Sequence, residues 1–151
     1  MHETLVTNAT KAGFSPERMQ IIGSGAEGTT KIIKALDGEQ VDTIVSILSL
    51  CAVSDAEGSL ERMVRDVLKP GGKLLFYEHV QCDPSPTLMW WQTFWTPLWQ
   101  AVLGCRLDKP THLYVERLDS WGQREVWGKL PTETPNLFWH RVGCYVKKIV
   151  V

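Results

Sequence analysis

The sequence predicts an α/β layered fold, with helices packed on an open, mainly parallel sheet. Three features point to it. Apolar runs of strand length alternate with segments of helical periodicity. Residues 41–80 read as one complete strand–helix–strand unit, VDTIVSIL, then AEGSLERMVRDVL, then KLLFYEH. Two strand-like runs near the end of the chain are spaced as an antiparallel hairpin.

Each element follows from local chemistry. His2 to Ala12 is predicted helical, with Gly13 as its stop. Met19 to Ile22 is a short apolar run, predicted as a strand, followed by a Gly23–Gly28 loop. Thr30 to Leu36 is predicted as a short helix ended by Asp37-Gly38. Val41 to Leu48 carries apolar residues at both odd and even positions, the pattern of a strand covered on both faces. From Ala56 to Leu68, Leu60, Met63, Val64, Val67 and Leu68 recur at helical spacing. Pro70-Gly71-Gly72 cannot continue that helix. Lys73 to His79 is a second buried strand. Leu88, Trp91, Trp95, Leu98 and Val102 follow a three–four spacing, so a helix is predicted there, kinked at Pro97. Thr111 to Leu118 is a further short helix, and Ser120–Leu130 and Phe138–Val150 form the closing hairpin around a Pro131–Pro135 connection.

With 151 residues the chain is expected to form a single domain, 1–151. A formal net charge of -1 gives no footprint for nucleic acid. Cys51, Cys82, Cys105 and Cys144 match neither a zinc pattern nor a small disulfide framework, so reduced thiols are expected and no metal site is assigned. No basic start and apolar run opens the chain as a signal peptide would. The expected location is cytoplasmic, peripheral to an intracellular membrane if the tryptophan-rich stretch touches lipid.

Several motifs together resemble a known family. They are the loop Leu50-Cys51-Ala52-Val53-Ser54-Asp55, the loop Gly23-Ser24-Gly25-Ala26-Glu27, the run PGGKLLFYEH, and the tryptophan-rich stretch after it. The chain resembles class I S-adenosylmethionine-dependent methyltransferases. Among them it is most similar to the small methyltransferase-like proteins that methylate alkyl thiols. The resemblance implies a Rossmann-like sheet with a C-terminal antiparallel hairpin, its strands in the spatial order Val41, Lys73, Phe138, Ser120. It also implies an N-terminally truncated fold. The family's first strand with its E/D-x-G-x-G loop, and its second strand, have no counterpart here, which leaves a sheet edge open to homo- or hetero-association.

The resemblance assigns S-adenosylmethionine as cofactor, with Gly25, Ala26 and Glu27 beside the adenine and Leu50 and Cys51 toward the sulfonium. Without it, Glu27 reads as a solvated turn residue and Cys51 as a small buried thiol. Glu78 and His79 end a strand on the ligand-binding edge. Adjacent strand residues face opposite ways, so His79 is assigned as the catalytic group and Glu78 to packing or capping. A hydrogen-bonded strand-end histidine is the plainer alternative. Asp42, at the other end of its strand, reads as a surface carboxylate. Leu88–Leu103 is a lid over a substrate pocket, a peripheral membrane contact, or a tryptophan-rich core helix. The expected function is methyl transfer to a thiol or hydroxyl of a small apolar substrate. The alternative is a catalytically inactive remnant or binding module lacking the glycine-rich cofactor loop.

Overall fold

The computed structural model describes residues 2–128 and 134–149. Part of the expected Pro131–Pro135 connection, and the far ends of both hairpin strands, lie outside the described residues. The chain begins with α1 (His2–Lys11), which stops at Gly13 with φ +88°. After a single 3-10 turn, α2 (Thr29–Ala35) ends through Asp37 and Gly38, both at positive φ. Strand β1 spans Val41–Ile47, α3 spans Ala56–Arg62, and a π-helical turn over Met63–Val67 continues it into β2 (Leu68–His79). Then come α4 (Pro86–Leu103), α5 (Thr111–Arg117), β3 (Trp121–Gly128) and β4 (His140–Lys147).

The four strands form one sheet in the order β1-β2-β4-β3, the spatial order expected. β1 and β2 are parallel, and β4 is antiparallel to both β2 and β3. The Lys-Pro-Gly-Gly segment lies inside β2 rather than before it. It loops out as an irregularity, with Val41 opposite Leu68 and Thr43 opposite Lys73. Glycine is required there: Gly71 has φ +77°, and a Cβ on Gly72 would sit 2.9 Å from the Lys69 carbonyl oxygen and 3.0 Å from that of Asp42.

One face of the sheet carries the core. Leu74, Phe76 and Tyr145 of the strands meet Leu60 and Val64 of the α3 segment and Val115 of α5. Burying side chains of this size contributes roughly 1.5–3 kcal/mol each. Asp55 caps α3 by accepting from Gly58 N (3.1 Å) and pairs with Arg62 (3.0 Å). The other end of this helix is closed from a distance. Lys147 Nζ, on β4, donates to the carbonyl oxygens of Val64 (2.7 Å), Arg65 (3.0 Å) and Leu68 (2.7 Å).

Two further expectations fail. Met19–Ile22 is irregular, not a strand: among the described residues it forms no ladder with the open edge of β1, which pairs with β2. β1 is also not covered on both faces. Val45 and Ile47 are each 59% exposed, and with Leu75, Tyr77, Val142 and Trp127 they line an open depression of about 280 Å³. The apolar residues of β1 predicted burial, but no described helix lies over that face.

Candidate functional site

The carboxyl ends of β1 and β2 meet one loop, residues 48–55. The chain leaves β1 at Leu48, whose φ of +48° is unfavourable for a residue with a Cβ. Glu78 holds this turn in place. Its carboxylate, fully buried, accepts from Ser46 Oγ (2.7 Å), Ser49 N (3.0 Å) and Leu50 N (3.1 Å). Burial pushes the Glu78 carboxyl above its ordinary range, and these bonds pull against that shift.

His79 points to the opposite face and is 4% exposed. With Leu48, Cys51, Trp99, Cys105, Phe138 and His140 it lines a pocket of about 220 Å³. His79 Nε2 lies 3.4 Å from Leu137 O, and its Nδ1 lies 3.9 Å from Cys105 Sγ. A carbonyl oxygen only accepts, so this contact assigns the ring proton to Nε2 and leaves the Nδ1 lone pair facing Cys105. Burial, then the neighbouring His140, pull the imidazole down to about 4. The ring is therefore neutral at physiological pH.

The expectation of four reduced thiols does not hold. Cys51 and Cys105 are joined as a disulfide, with Cα atoms 5.2 Å apart, and only Cys82 and Cys144 are free. The fold brings together residues 54 positions apart, which sequence spacing does not report. Cys51 also lines a second, polar cavity of about 410 Å³ with Ser54, Gln100, Arg106, Asp108 and Lys109. Arg106 and Asp108 pair there at 3.0 Å, and Lys109 Nζ donates to Val53 O.

The loop carrying Gly25, Ala26 and Glu27 lies against the other side of the 48–55 loop. Glu27 Oε1 accepts from Ser54 N (3.1 Å). Ala26 and Leu50 line an apolar slot of about 160 Å³ with Ile44, Val53, Leu60 and Met63. Ser46, Ser49 and Ser59 are also part of its lining. Leu50 N is already taken by Glu78, so Leu50 offers a ligand its side chain and not its amide donor. Asp42 is remote from all of these, pairing with Lys69 at the surface (3.1 Å). Among the described residues no group of three His, Cys, Asp or Glu side chains is arranged to hold a metal ion.

α4 borders the site in an unexpected orientation. Its buried residues are Gln92 and Thr96. Gln92 Nε2 donates to Val80 O (3.1 Å) and Leu137 O (3.0 Å), and its Oε1 accepts from Cys82 N (2.8 Å). Thr96 Oγ1 accepts from Leu107 N (3.3 Å). Trp90, Trp91, Phe94, Trp95, Leu98 and Val102 are all exposed, by 41–71%. α4 is thus not the core helix that was one expectation. Trp99, on the same helix, reaches the His79 pocket and meets Phe138 at a tilt, with ring centroids 5.0 Å apart. No helix among the described residues is long and apolar enough to cross a membrane.

Sequence reasoning singled out Cys51 and His79 but missed Cys105, Trp99, Phe138 and His140, which share the pocket. Cys105 and Trp99 had a composition signal, as one of four thiols and one of seven tryptophans. His140 and Phe138 had none beyond lying in a predicted strand.

Comparison with curated proteins returns thiol S-methyltransferases. TMT1B of Rattus norvegicus is 30% identical over 115 residues, which are 76% of this chain and 45% of the relative. TMT1B of Homo sapiens matches with the same identity and the same shares. TMT1A of Homo sapiens is 37% identical over 78 residues, 51% of this chain and 32% of the relative. The chain spans less than half the length of these curated relatives. No family model matches it.

Proposed function

We propose that this chain, whose curated homologues are thiol S-methyltransferases at modest identity over part of its length, takes part in transferring a methyl group from S-adenosylmethionine to the thiol of a small apolar substrate. The observation that carries this is the His79 pocket. It combines apolar walls with two histidine rings, one of them the neutral imidazole of His79, whose Nδ1 lone pair faces the cavity wall, at the carboxyl ends of two parallel strands. When bound, the cofactor supplies a methyl group on a positively charged sulfur, so the transfer needs alignment more than strong acid–base chemistry. The slot beside Ala26 and Leu50 suits its adenine, with Gly25 and Glu27 on the adjoining loop and Cys51 at the boundary with the substrate pocket. Glu78 fixes the 48–55 loop that separates the two. His79 takes the thiol proton as the sulfur attacks. A neutral imidazole is a far closer match to a thiol than to a hydroxyl, whose proton is held much more tightly, which favours the thiol among the two expected acceptors.

The test is isothermal titration of the purified chain with S-adenosylmethionine, followed by methylation of 1-butanethiol. Micromolar binding and formation of the methyl thioether are expected. His79→Gln should lower turnover at least tenfold with cofactor affinity unchanged. Absence of cofactor binding would overturn the proposal.

The uncovered face of the sheet favours a second function, a binding module completed by association. Among the described residues β1 pairs with β2 alone, and its Val45 and Ile47 face outward. Here a second copy or another chain covers that face, and sedimentation analysis should find the chain associated at micromolar concentration. α4 supports a peripheral contact with lipid in either case. Gln92 and Thr96 are turned inward while Trp90, Trp91, Phe94 and Trp95 face out, which puts a row of large rings where a membrane surface could take them up.

A further inference from the structure

The His79 pocket contains a group that methyl transfer does not use, the disulfide in its wall. We propose that Cys51–Cys105 is a thiol–disulfide exchange site for small apolar thiols, with Cys105 Sγ as the sulfur attacked and His79 Nδ1 as the proton acceptor. This deepens the thiol reading of the same pocket and depends on it only for the class of substrate.

Four observations converge on the site. The bond lies in the wall of a cavity whose other lining is Leu48, Trp99 and Phe138 with the rings of His79 and His140. The two sulfurs are unequal. Cys51 is 1% exposed, while Cys105 is half-buried and lines the cavity, so an incoming thiol meets Cys105 first. His79 Nδ1 lies 3.9 Å from that sulfur, on the same pocket wall. Its Nε2 is committed to the Leu137 carbonyl, which leaves Nδ1 unprotonated and able to accept. Exchange requires a sulfur aimed at a disulfide sulfur with the leaving sulfur opposite, and a neutral acceptor beside the attacked sulfur takes the thiol proton as the new bond forms.

The step balances without an outside oxidant. The thiol RSH gives its proton to His79 Nδ1 and its sulfur bonds to Cys105 Sγ. The Cys51–Cys105 bond breaks, and its electron pair leaves on Cys51 Sγ. That thiolate takes the proton from His79. The products are a mixed disulfide on Cys105 and a free thiol at Cys51. The protein disulfide is reduced by the amount the incoming thiol is oxidised. Cys51 Sγ already lies 3.7 Å from Leu48 O, a carbonyl ready to accept from the new thiol.

The experiment uses the full chain purified without reductant and no methyl donor, so it can fail or succeed independently of methyl transfer. The chain is exposed to 1-butanethiol, trapped with N-ethylmaleimide in acid, and mapped by mass spectrometry. Butanethiol on Cys105 and maleimide on Cys51 are expected, with reaction at least tenfold faster than for glutathione, whose charges do not suit the pocket. A second measurement avoids re-closure of the bond. In Cys51→Ser, with folding checked by circular dichroism, the Cys105 thiol should be converted by dibutyl disulfide to one stable butyl adduct. Adding His79→Gln should slow that conversion at least tenfold. Butanethiol on Cys51, equal rates with glutathione, a Cys51→Ser chain unmodified at Cys105, or an unchanged rate without His79 would each overturn the proposal. So would both Cys51 and Cys105 being alkylated before any thiol is added.

Discussion

α3 and α4 treat their apolar residues in opposite ways. α3 and its π-helical extension bury Leu60, Val64 and Val67 and turn Glu57, Glu61 and Arg65 outward. α4 buries Gln92 and Thr96 and turns four large aromatic rings outward. One helix is held by loss of apolar surface from water, the other by hydrogen bonds to groups that would otherwise be stranded. Helical periodicity identifies a face; it does not say whether the protein or something else covers it.

Four measurements break or sharpen this contrast. The largest effect is expected from Gln92→Leu, a near-isosteric change that raises apolar content. It strands Val80 O and Cys82 N together and leaves Leu137 O only the longer bond from His79 Nε2, and chemical denaturation should report a loss of about 4 kcal/mol. A stable Gln92→Leu protein would mean α4 is not pinned as described. Next, Leu60→Ala in α3 should cost about 3 kcal/mol, whereas Trp95→Ala in α4 should cost less than about 1 kcal/mol despite removing a larger side chain.

The polar-held half should also respond to acid. His79 sits at about 4 in the folded chain against an ordinary 6.5, so the unfolded chain binds more protons between those values. Stability is therefore expected to fall as pH drops from about 6.5 to about 4, by about 3 kcal/mol, and not to fall further on this account. His140 and Cys105 face the ring. Buried His112, also depressed, adds slope of the same sign. Glu78, raised by burial, acts oppositely: its contribution is complete at low pH and is lost as pH rises through its folded value. Comparing denaturation profiles of wild type and His79→Gln isolates the histidine; parallel profiles would refute the assignment. The smallest effect concerns lipid. Trp90→Ser with Phe94→Ser should lower partition into phosphatidylcholine vesicles about tenfold while leaving the denaturation midpoint unchanged.

Much of the sheet was legible because its determinants are local. The apolar runs at Val41 and Lys73, the Pro-Gly-Gly break and the late hairpin each announce themselves within a few residues. The Met19–Ile22 run was misread because a strand needs a neighbour, and four apolar residues cannot report one. β1 was read as two-sided for the same reason: composition gives a preference for burial, not a partner. At the site, Glu78 and His79 could be separated by strand alternation alone. The Cys51–Cys105 bond and the arrival of Trp99 and His140 depend on how loops far apart in the chain return to one strand end, which no local pattern encodes.

Lys147 imposes an order on assembly. The three carbonyls it satisfies lie 79 to 83 positions earlier, at the junction between the α3 segment and β2. Helical turns close in about a microsecond, but this junction waits until almost the whole chain has been gathered in and β4 has zipped onto β2. Protection of the amides of Val67 and Leu68 against deuterium should accordingly lag behind that of residues 74–77 in the middle of β2 during refolding, and the late strand β4 acts as the clasp for the middle of the chain.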